Sequence, residues 1–417
     1  MMREPMTRPL AAGTAVADLA AAVLSVRPLL ESLAGPVRIS ACQGRDAAPC
    51  PADGRARTDP GGAADLAAVI GAIARGVGVG NLLAFPERPG VQLTGVERLV
   101  SDRLAVWEYR MALAGLGQGA LAEIATIASQ VADAGFDRYR SSSAVIAADG
   151  VPLLVYAAGA RADRAVVISS ACAMPVQLCE RWLEALGPEH LVLTWQSRGL
   201  DATNDDFDAM KLDALTQAAD LIAVLDRYGV RAAHVMGICT GSVIALAAAA
   251  AYQERVRSLS LWHGAYEFGP DELKTSHHVH MQALMAMAAQ DRRTAAAAHA
   301  VLWQATARST PPDLAHLVLC PFATPELLYR YCKVNGTITQ TAVAGFLHQV
   351  AQPTLVVTSE DDDTAHPDAS RAVAAGLADA TLAIEPHGNH LSLFKAGPRL
   401  ERLATGFIDA TALMSGR

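Results

Sequence analysis

One short run in the chain places a nucleophile where catalysis would need it. The sequence GICTG at 237–241 follows a strand-like pattern, HVM, and precedes the helical pattern SVIALAAAA. A cysteine on such a strand-to-helix turn points outward from a strained backbone, and flanking glycines let the strand and helix approach closely. Free N–H groups at the helix start stabilise negative charge there. Taken alone, the pattern fits a catalytic Cys239 and a small buried cysteine in a tight turn equally well.

A thiol nucleophile requires a base, and the base requires a carboxylate that orients it. The stretch EPHGNHLSLF places His390 just after one strand pattern, and VVTSEDDDTAHP places acids directly after the preceding strand. The chain order of nucleophile, acid and histidine, each at the end of a strand, favours His390 as the base and one of the acids of the second stretch, Asp362 among them, as its partner. The competing residues that the sequence leaves open are Asp361, Asp363, His387, Glu267 and Asp271.

These residues are distant in sequence, so the fold has to bring them together. From Tyr139 onward, strand patterns alternate with helix patterns, which is typical of a parallel sheet covered by helices. A hairpin signal at Asp149-Gly150 precedes this alternation, and a long helical segment interrupts it. The predicted parts are a first half of the core at 139–264, a helical lid at 265–349 and a second half of the core at 350–417.

The order and spacing of these motifs from about Ser141 to Met414 resemble the α/β-hydrolase fold, with a cysteine in place of the commoner serine. The resemblance implies a mostly parallel central sheet flanked by helices, with a helical lid insertion and an N-terminal helical extension. It also implies that Cys239 is the nucleophile, His390 the base and Asp362 the acid.

The same resemblance implies an oxyanion hole made of backbone N–H groups. Thr240 supplies one donor, and the loop after the strand RAVVIS supplies the other from Ala171 or Cys172. The family usually carries His-Gly in that loop, where this chain has Ser169-Ser170. A backbone donor needs no particular side chain, so the hole is still expected. In the segment TWQSRGLD, Arg198 is predicted to be structural.

The first part of the chain has a different character from the core. Residues 1–61 are rich in alanine, proline and glycine and predict a flexible or loop-rich segment. Residues 62–138 predict helices, and the sequence leaves open whether these cap the site or form a homodimer surface. Asp18 interrupts the N-terminal apolar run, which favours an ordinary helix over a signal peptide. No apolar run is long enough to predict a membrane span.

The 417 residues carry a net charge of −8 and no run of lysine or arginine, which argues against nucleic acid or an anionic membrane as the main partner. The 7 cysteines are odd in number and lack C-x-x-C spacing. This pattern predicts reduced thiols in a cytoplasmic protein. Cys42 and Cys50 lie close enough in sequence to pair under oxidation.

Two patterns in the predicted lid suggest other roles. The stretch SHHVH holds His277, His278 and His280, but it lacks an i, i+4 histidine pair and a neighbouring carboxylate or cysteine, so no metal site is predicted. The methionines of the following helix predict lid packing, with an adaptable wall for an acyl chain as the alternative. No glycine-rich phosphate loop stands between a strand and a helix, so no cofactor is predicted.

Cysteine in place of serine favours thioester chemistry, because exchange of one thioester for another costs little free energy. Among α/β-hydrolase families, G-x-C-x-G resembles the motif of dienelactone hydrolases, polyhydroxyalkanoate synthases and cysteine thioesterases of polyketide and nonribosomal peptide assembly lines. The first group lacks a large lid, and the second usually carries another glycine where this chain has Ser242. The resemblance therefore implies a thioesterase or acyltransferase that takes its small-molecule acyl substrate from a carrier protein or coenzyme A. The alternatives are a lactone or ester hydrolase and a non-catalytic binding protein.

Overall fold

The computed structural model describes residues 11–40, 66–85, 92–114, 116–200, 206–269 and 274–415. These residues form two compact units, one from the described parts of 1–138 with 310–323, the other from those of 139–309 with 324–417. Residues 1–10 and 41–61 of the predicted loop-rich segment, the latter with Cys42 and Cys50, and the alternative acid Asp271 lie outside the described residues.

The first unit consists mainly of helices. Its elements up to residue 138 are α1 (Ala12–Glu31), β1 (Val37–Arg38), α2 (Leu66–Gly76), β2 (Leu83–Ala84), α3 (Gly95–Leu104), α4 (Val106–Leu113) and α5 (Leu121–Asp133). The prediction of a loop-rich segment over 1–61 is wrong for α1. Its apolar residues recur every three or four positions and are fully buried at Leu19, Val23 and Val26. That face packs against α2, α4 and α5.

Helix α1 is also the one helix in the described part of the chain that is long and apolar enough to cross a membrane by length and composition. Length and apolar composition are shared by the core helices of soluble proteins. Within the first unit, α1 packs as a core helix does, because eight of its residues are buried against its neighbours: Ala15, Val16, Leu19, Ala20, Val23, Val26, Leu29 and Leu30.

The second unit is built on a seven-stranded sheet in the order β11-β10-β9-β8-β6-β7-β5. The strands of this unit are β3 (Val145–Ile146), β4 (Pro152–Leu153), β5 (Val155–Ala158), β6 (Ala165–Ser169), β7 (Leu191–Trp195), β8 (Ala233–Ile238), β9 (Val256–Trp262), β10 (Thr354–Ser359) and β11 (Ala380–Glu385). Only β5 runs antiparallel to its neighbour in this sheet. The short hairpin β3–β4 turns at Gly150, as the sequence predicts.

The order of the strands creates a crevice between β6 and β8. The chain leaves β6 toward β7 on one side and returns past it to β8 on the other. The loops that follow β6 and β8 therefore diverge at the carboxyl edge of the sheet. In open α/β sheets this switch point is where ligands bind.

Helices cover the sheet and form the insertion between β9 and β10. They are α6 (Glu180–Leu186), α7 (Ala214–Arg227), α8 (Gly241–Ala251), α9 (Ser276–Ala288), α10 (Arg292–Ser309), α11 (Ala315–Val318), α12 (Pro325–Thr339), α13 (Ala344–Leu347), α14 (Pro367–Gly376) and α15 (Pro398–Ser415). The insertion predicted as one lid at 265–349 is divided, because 310–323 belongs to the first unit. There, α11 packs against α1 and α3.

Arg198, predicted to be structural, is buried in an ion-pair cluster. Its guanidinium donates to Asp220 Oδ2 at 2.7 Å and to Asp149 Oδ2 at 2.6 Å, and a second bond reaches Asp220 Oδ1. The side chains of Arg198 and Asp220 are 0% and 1% exposed. The cluster joins the loop after β7 to helix α7 and to the β3–β4 turn.

The buried His234 on β8 makes the stability of the second unit depend on pH. Its two ring nitrogens lie 2.8 Å from the hydroxyls of Ser258 and Ser260, and burial lowers the pKa of His234 to about 3. Below pH 6.5, His234 binds a proton in the unfolded chain but stays neutral in the folded chain. The free energy of unfolding therefore falls as the pH drops from 6.5 toward 3.

We therefore expect His234→Gln to flatten this dependence. The histidine contributes a slope of about 1.4 kcal/mol per pH unit to the free energy of unfolding in that window. Urea unfolding of the wild-type and variant proteins at pH 7, 6 and 5 measures the difference in slope. Identical slopes would contradict the expectation.

Candidate active site

Cys239 occupies the sharp turn between β8 and α8. Its backbone is left-handed, with φ of 53°, which is unusual for a residue other than glycine. Its N–H donates to Trp262 O at 2.9 Å, which ties the turn to β9. The side chain is half-buried at the N-terminus of α8. A thiolate there lies close to the positive end of the helix dipole.

The two glycines of the turn are required by close packing. A Cβ on Gly237 would stand 2.5 Å from Ser242 Cα, and one on Gly241 would overlap the backbone oxygens of Ser169 and Ser170. Gly241 therefore allows α8 to begin directly beside the loop after β6. That loop carries the second predicted oxyanion donor.

We expect Gly241→Ala to impair both folding and activity. The added methyl must push the loop after β6 away, and overpacking of this kind costs about 1–3 kcal/mol. Gly336→Ala, in helix α12, is the matched control because a Cβ there meets nothing within 4 Å. It should leave activity unchanged and stabilise the protein slightly. Thermal unfolding and turnover of the two variants measure the contrast.

The structure brings three predicted site residues into one hydrogen-bonded chain. His390 Nε2 lies 3.2 Å from Cys239 Sγ, and His390 Nδ1 lies 2.9 Å from Asp362 Oδ2. Asp362 stands in the turn after β10, where its other oxygen accepts the N–H groups of Thr364 and Ala365 at 2.9 Å. The arrangement gives the thiol a base and gives the base a fixed carboxylate.

The competing residues lie elsewhere. Asp361 pairs with His387 at 3.1 Å, and both side chains are exposed, at 57% and 88%. Glu267 instead accepts from Lys274 at 2.6 Å and from the N–H of Gly269. The backbone oxygen of Asp363 accepts a hydrogen bond from the hydroxyl of Thr275, and its carboxylate accepts one from the hydroxyl of Thr364.

Burial and charge act in opposite directions on the ionisable groups of this chain. Burial disfavours the charged form of Asp362, but the charges and hydrogen bonds of His390 and His263 hold the pKa of its carboxyl well below the usual range. Burial likewise works against a charged His390, yet the Asp362 carboxylate and a Cys239 thiolate raise its pKa well above the ordinary value. The environment thus stabilises a protonated His390 beside Cys239.

One of the two donors predicted in the loop after β6 is already used. The N–H of Cys172 donates to Thr240 Oγ1 at 2.9 Å. In the described part of the chain, the N–H groups of Thr240 and Ala171 donate a hydrogen bond to no backbone oxygen. Both residues are buried beside the Cys239 turn. An oxyanion hole here would therefore consist of Thr240 and Ala171, without Cys172.

Sequence reasoning missed His263. It stands directly after β9 with φ of 47°, is 1% exposed, and places Nδ1 2.8 Å from Asp362 Oδ2. The available signal was the polar pair His263-Gly264 at the end of an apolar strand, SLSLW. A histidine at the carboxyl edge of the sheet lies near the residues that follow the neighbouring strands.

The described residues contain one group of side chains close enough to share a metal ion, namely His263, Asp362 and His390. Their contacts of 2.8 and 2.9 Å are hydrogen-bond lengths. Ligands about 2.0–2.1 Å from a tetrahedral zinc ion stand about 3.3 Å apart, so the group as arranged suits protons better than a metal. Of the lid histidines, His280 is exposed and His278 half-buried on α9.

Comparisons with known proteins show which solved structures share the architecture of this chain. No family model matches the chain. An esterase from Rhodococcus superimposes with a TM-score of 0.54 at 19% identity, over 66% of this chain and 99% of its own. A hydrolase from Pseudomonas aeruginosa gives 0.52 at 21% identity, over 64% and 97%. An esterase from Exiguobacterium antarcticum gives 0.53 at 14% identity, over 64% and 100%.

The chain has the α/β-hydrolase fold. The predicted fold class is thereby confirmed, with its mostly parallel sheet flanked by helices. In sequence, the chain is similar to the proposed carbamate hydrolase RutD of Azorhizobium caulinodans, at 35% identity over 82 residues. The match spans 20% of this chain and 30% of that protein. At these identities the α/β-hydrolase fold is established, and the cysteine nucleophile remains a prediction.

Proposed function

We propose that the protein is an acyl-transfer enzyme that forms a covalent acyl-Cys239 intermediate and passes the acyl group to water, an amine or an alcohol. The observation that carries the proposal is the 3.2 Å contact between His390 Nε2 and Cys239 Sγ, continued to Asp362 at 2.9 Å. A nucleophile within reach of a base, with the base oriented by a buried carboxylate, is what covalent acyl transfer requires.

The reaction proceeds in two halves. His390 takes the proton of Cys239, and the thiolate attacks the carbonyl carbon of the substrate. The N–H groups of Thr240 and Ala171 stabilise the oxyanion, a contribution of about 3 kcal/mol from each donor. His390 then protonates the leaving group, which departs. In the second half His390 deprotonates the acceptor, the acceptor attacks the acyl carbon, and Cys239 leaves as a thiolate.

The nucleophile supports a thioester as the substrate. A thiolate exchanges one thioester for another at little cost, and the acyl-cysteine remains activated for the second half of the reaction. We therefore propose that the acyl group arrives on a carrier protein or on coenzyme A, in natural-product biosynthesis of the polyketide or nonribosomal peptide kind. Methionines of α9 that are half-buried, Met281 and Met285, suit an adaptable acyl wall.

A second candidate is the hydrolysis of a carboxylic ester or lactone. It is favoured by the names of the structural neighbours, two of which are esterases. The same chain of Cys239, His390 and Asp362 would serve it, with an alcohol in place of a thiol as the leaving group. The two candidates differ only in the leaving group of the first half of the reaction.

Intact-protein mass spectrometry after brief mixing with substrates tests the proposal. The panel contains acyl N-acetylcysteamine and acyl-coenzyme A thioesters, each matched by an oxygen ester of the same acyl group. We expect thioesters to add one acyl mass at a higher rate than their matched esters. Decay of the adduct in water, compared with added amines or alcohols, identifies the natural class of acceptor.

The outcomes separate the functions. Labelling by esters or lactones but by no thioester would leave ester hydrolysis and remove the thioester proposal. Absence of any adduct, with Cys239 alkylated no faster than a free thiol, would point to a non-catalytic binding protein of the same fold.

A further inference from the structure

His263 is a buried histidine that no step of the proposed reaction uses. Its backbone N–H donates to Val357 O at 2.8 Å, which pins the residue beside β10. The left-handed φ of 47° turns its side chain toward the turn after that strand, where Nδ1 meets Asp362 Oδ2 at 2.8 Å. Such a backbone costs free energy for a residue with a Cβ, so the packing around it must hold it there.

Two histidines share a single oxygen atom of Asp362. His390 Nδ1 approaches the same Oδ2 at 2.9 Å, and the two rings stand nearly perpendicular, at 82° with centroids 5.9 Å apart. The other carboxylate oxygen is occupied by the two N–H groups of the turn that follows. Because each donor stabilises the anion, a bond from His263 makes Asp362 a weaker acceptor for His390.

The weaker bond from Asp362 affects His390, which must both accept and release a proton during the reaction. The Asp362 carboxylate already raises the pKa of His390 well above its ordinary value, and without the bond from His263 to Asp362, His390 would hold its proton more strongly still. It would then be a poor base for the acceptor in the second half of the reaction, since a catalytic base works best with a proton affinity matched to the operating pH.

We propose that His263 is a positioning residue that competes with His390 for Asp362 and thereby weakens the hold of His390 on its proton. The step that it serves, deprotonation of the acceptor, rests on the proposed acyl-cysteine function. The competition for Asp362 itself is a property of the folded protein and does not depend on any substrate.

Asp362 and His263 are the pair that we expect to adjust the proton affinity of His390. Cys239 faces His390 from the β8–α8 turn. The titratable groups that interact electrostatically with Cys239 are Cys172 after β6, Tyr266 after β9 and Tyr331 on α12. Asp361 and His387, on the turns after β10 and β11, pair with each other. Burial raises the pKa of Cys172 to about 12 and raises those of both tyrosines, so all three stay neutral near neutral pH.

The test follows the titration of His390 by NMR of ¹³C-labelled histidine in full-length Cys239→Ala protein, which removes coupling to the thiol. Two variants at position 263 are compared in that background. His263→Gly accepts the left-handed backbone but has no donor, whereas His263→Asn accepts the same backbone and keeps an N–H donor. A His390→Gln sample identifies the His390 signal.

We expect the His390 midpoint to rise by about half a pH unit or more in His263→Gly and to stay near the parent value in His263→Asn. Equal midpoints in both variants, or no rise in His263→Gly, would overturn the proposal. Should His263→Gly fail to fold, His263→Ala, which also lacks a donor, takes its place under the same criteria.

A second measurement links the effect to the reaction. In protein that retains Cys239, the pH midpoint of acyl-adduct decay should rise by the same amount in His263→Gly and return in His263→Asn. A purely structural role would lower the rate at every pH without moving the midpoint. If no substrate forms an adduct while the NMR midpoints still shift, the acyl-cysteine function fails and the competition for Asp362 stands.

Discussion

Replacing Cys239 with alanine is expected to lower turnover by roughly 10⁴-fold or more and to abolish the acyl adduct. Loss of a nucleophile removes the covalent route entirely, and what remains comes from substrate binding and the oxyanion hole. His390→Ala should cause a loss of similar size, because the thiol then has no base. The double variant should be little worse than either single one, since the two residues act as a unit.

Cys179→Ala is the matched control for this prediction. Cys179 is a buried cysteine of the same unit, and burial raises the pKa of its thiol to about 11, so it is protonated and shielded from substrates. Turnover within about twofold of wild type is expected for this variant. Retention of more than a tenth of the wild-type turnover by Cys239→Ala would remove Cys239 from the mechanism.

The second large effect is expected on stability rather than catalysis. Asp220→Ala should lower the free energy of unfolding by about 3–5 kcal/mol, because it leaves the buried guanidinium of Arg198 with the partly exposed Asp149 as its remaining carboxylate partner. Urea unfolding at pH 7 measures the loss. Replacing both partners by apolar residues, as in Arg198→Met with Asp220→Leu, should recover much of it, since an apolar pair carries no uncompensated charge.

An exposed ion pair supplies the comparison. Arg371 bonds to Glu360 and Asp368 on the surface of α14, with all three side chains at least a third exposed. Arg371→Ala should therefore change the free energy of unfolding by less than about 1 kcal/mol. Equal losses at the two sites would show that burial of the Arg198 cluster contributes nothing special.

The sheet and the position of the site could be predicted because both follow from local patterns. Apolar runs of five to seven residues, bounded by turns, gave strands such as β8 and β10 near their observed bounds. The glycines of the segment 237–241 predicted the turn between strand and helix. Since parallel strands present their carboxyl ends at one edge, residues after β8, β10 and β11 were expected to meet.

The parts that escaped prediction depend on details of one side chain or one bond. The choice between Asp361 and Asp362 as the carboxylate partner of His390 depends on the orientation of the turn after β10. In that turn the side chain of Asp361 points to solvent and that of Asp362 to the interior. The choice between Ala171 and Cys172 depends on the hydroxyl of Thr240, which captures one N–H. His263 was missed because its role comes from a left-handed backbone, which no residue spacing reveals.

The division of the chain into units has a consequence for how the protein is made. Helix α11, at 315–318, packs against α1 and α3, yet 171 residues lie between residues 138 and 310 in the sequence. A ribosome adds about 5–20 residues per second, so roughly 10–35 seconds pass between synthesis of the two parts. During that interval the emerging N-terminal helices lack one of their own packing partners, and nascent chains stalled before residue 315 should bind chaperones or be cut by protease at α1 and α3.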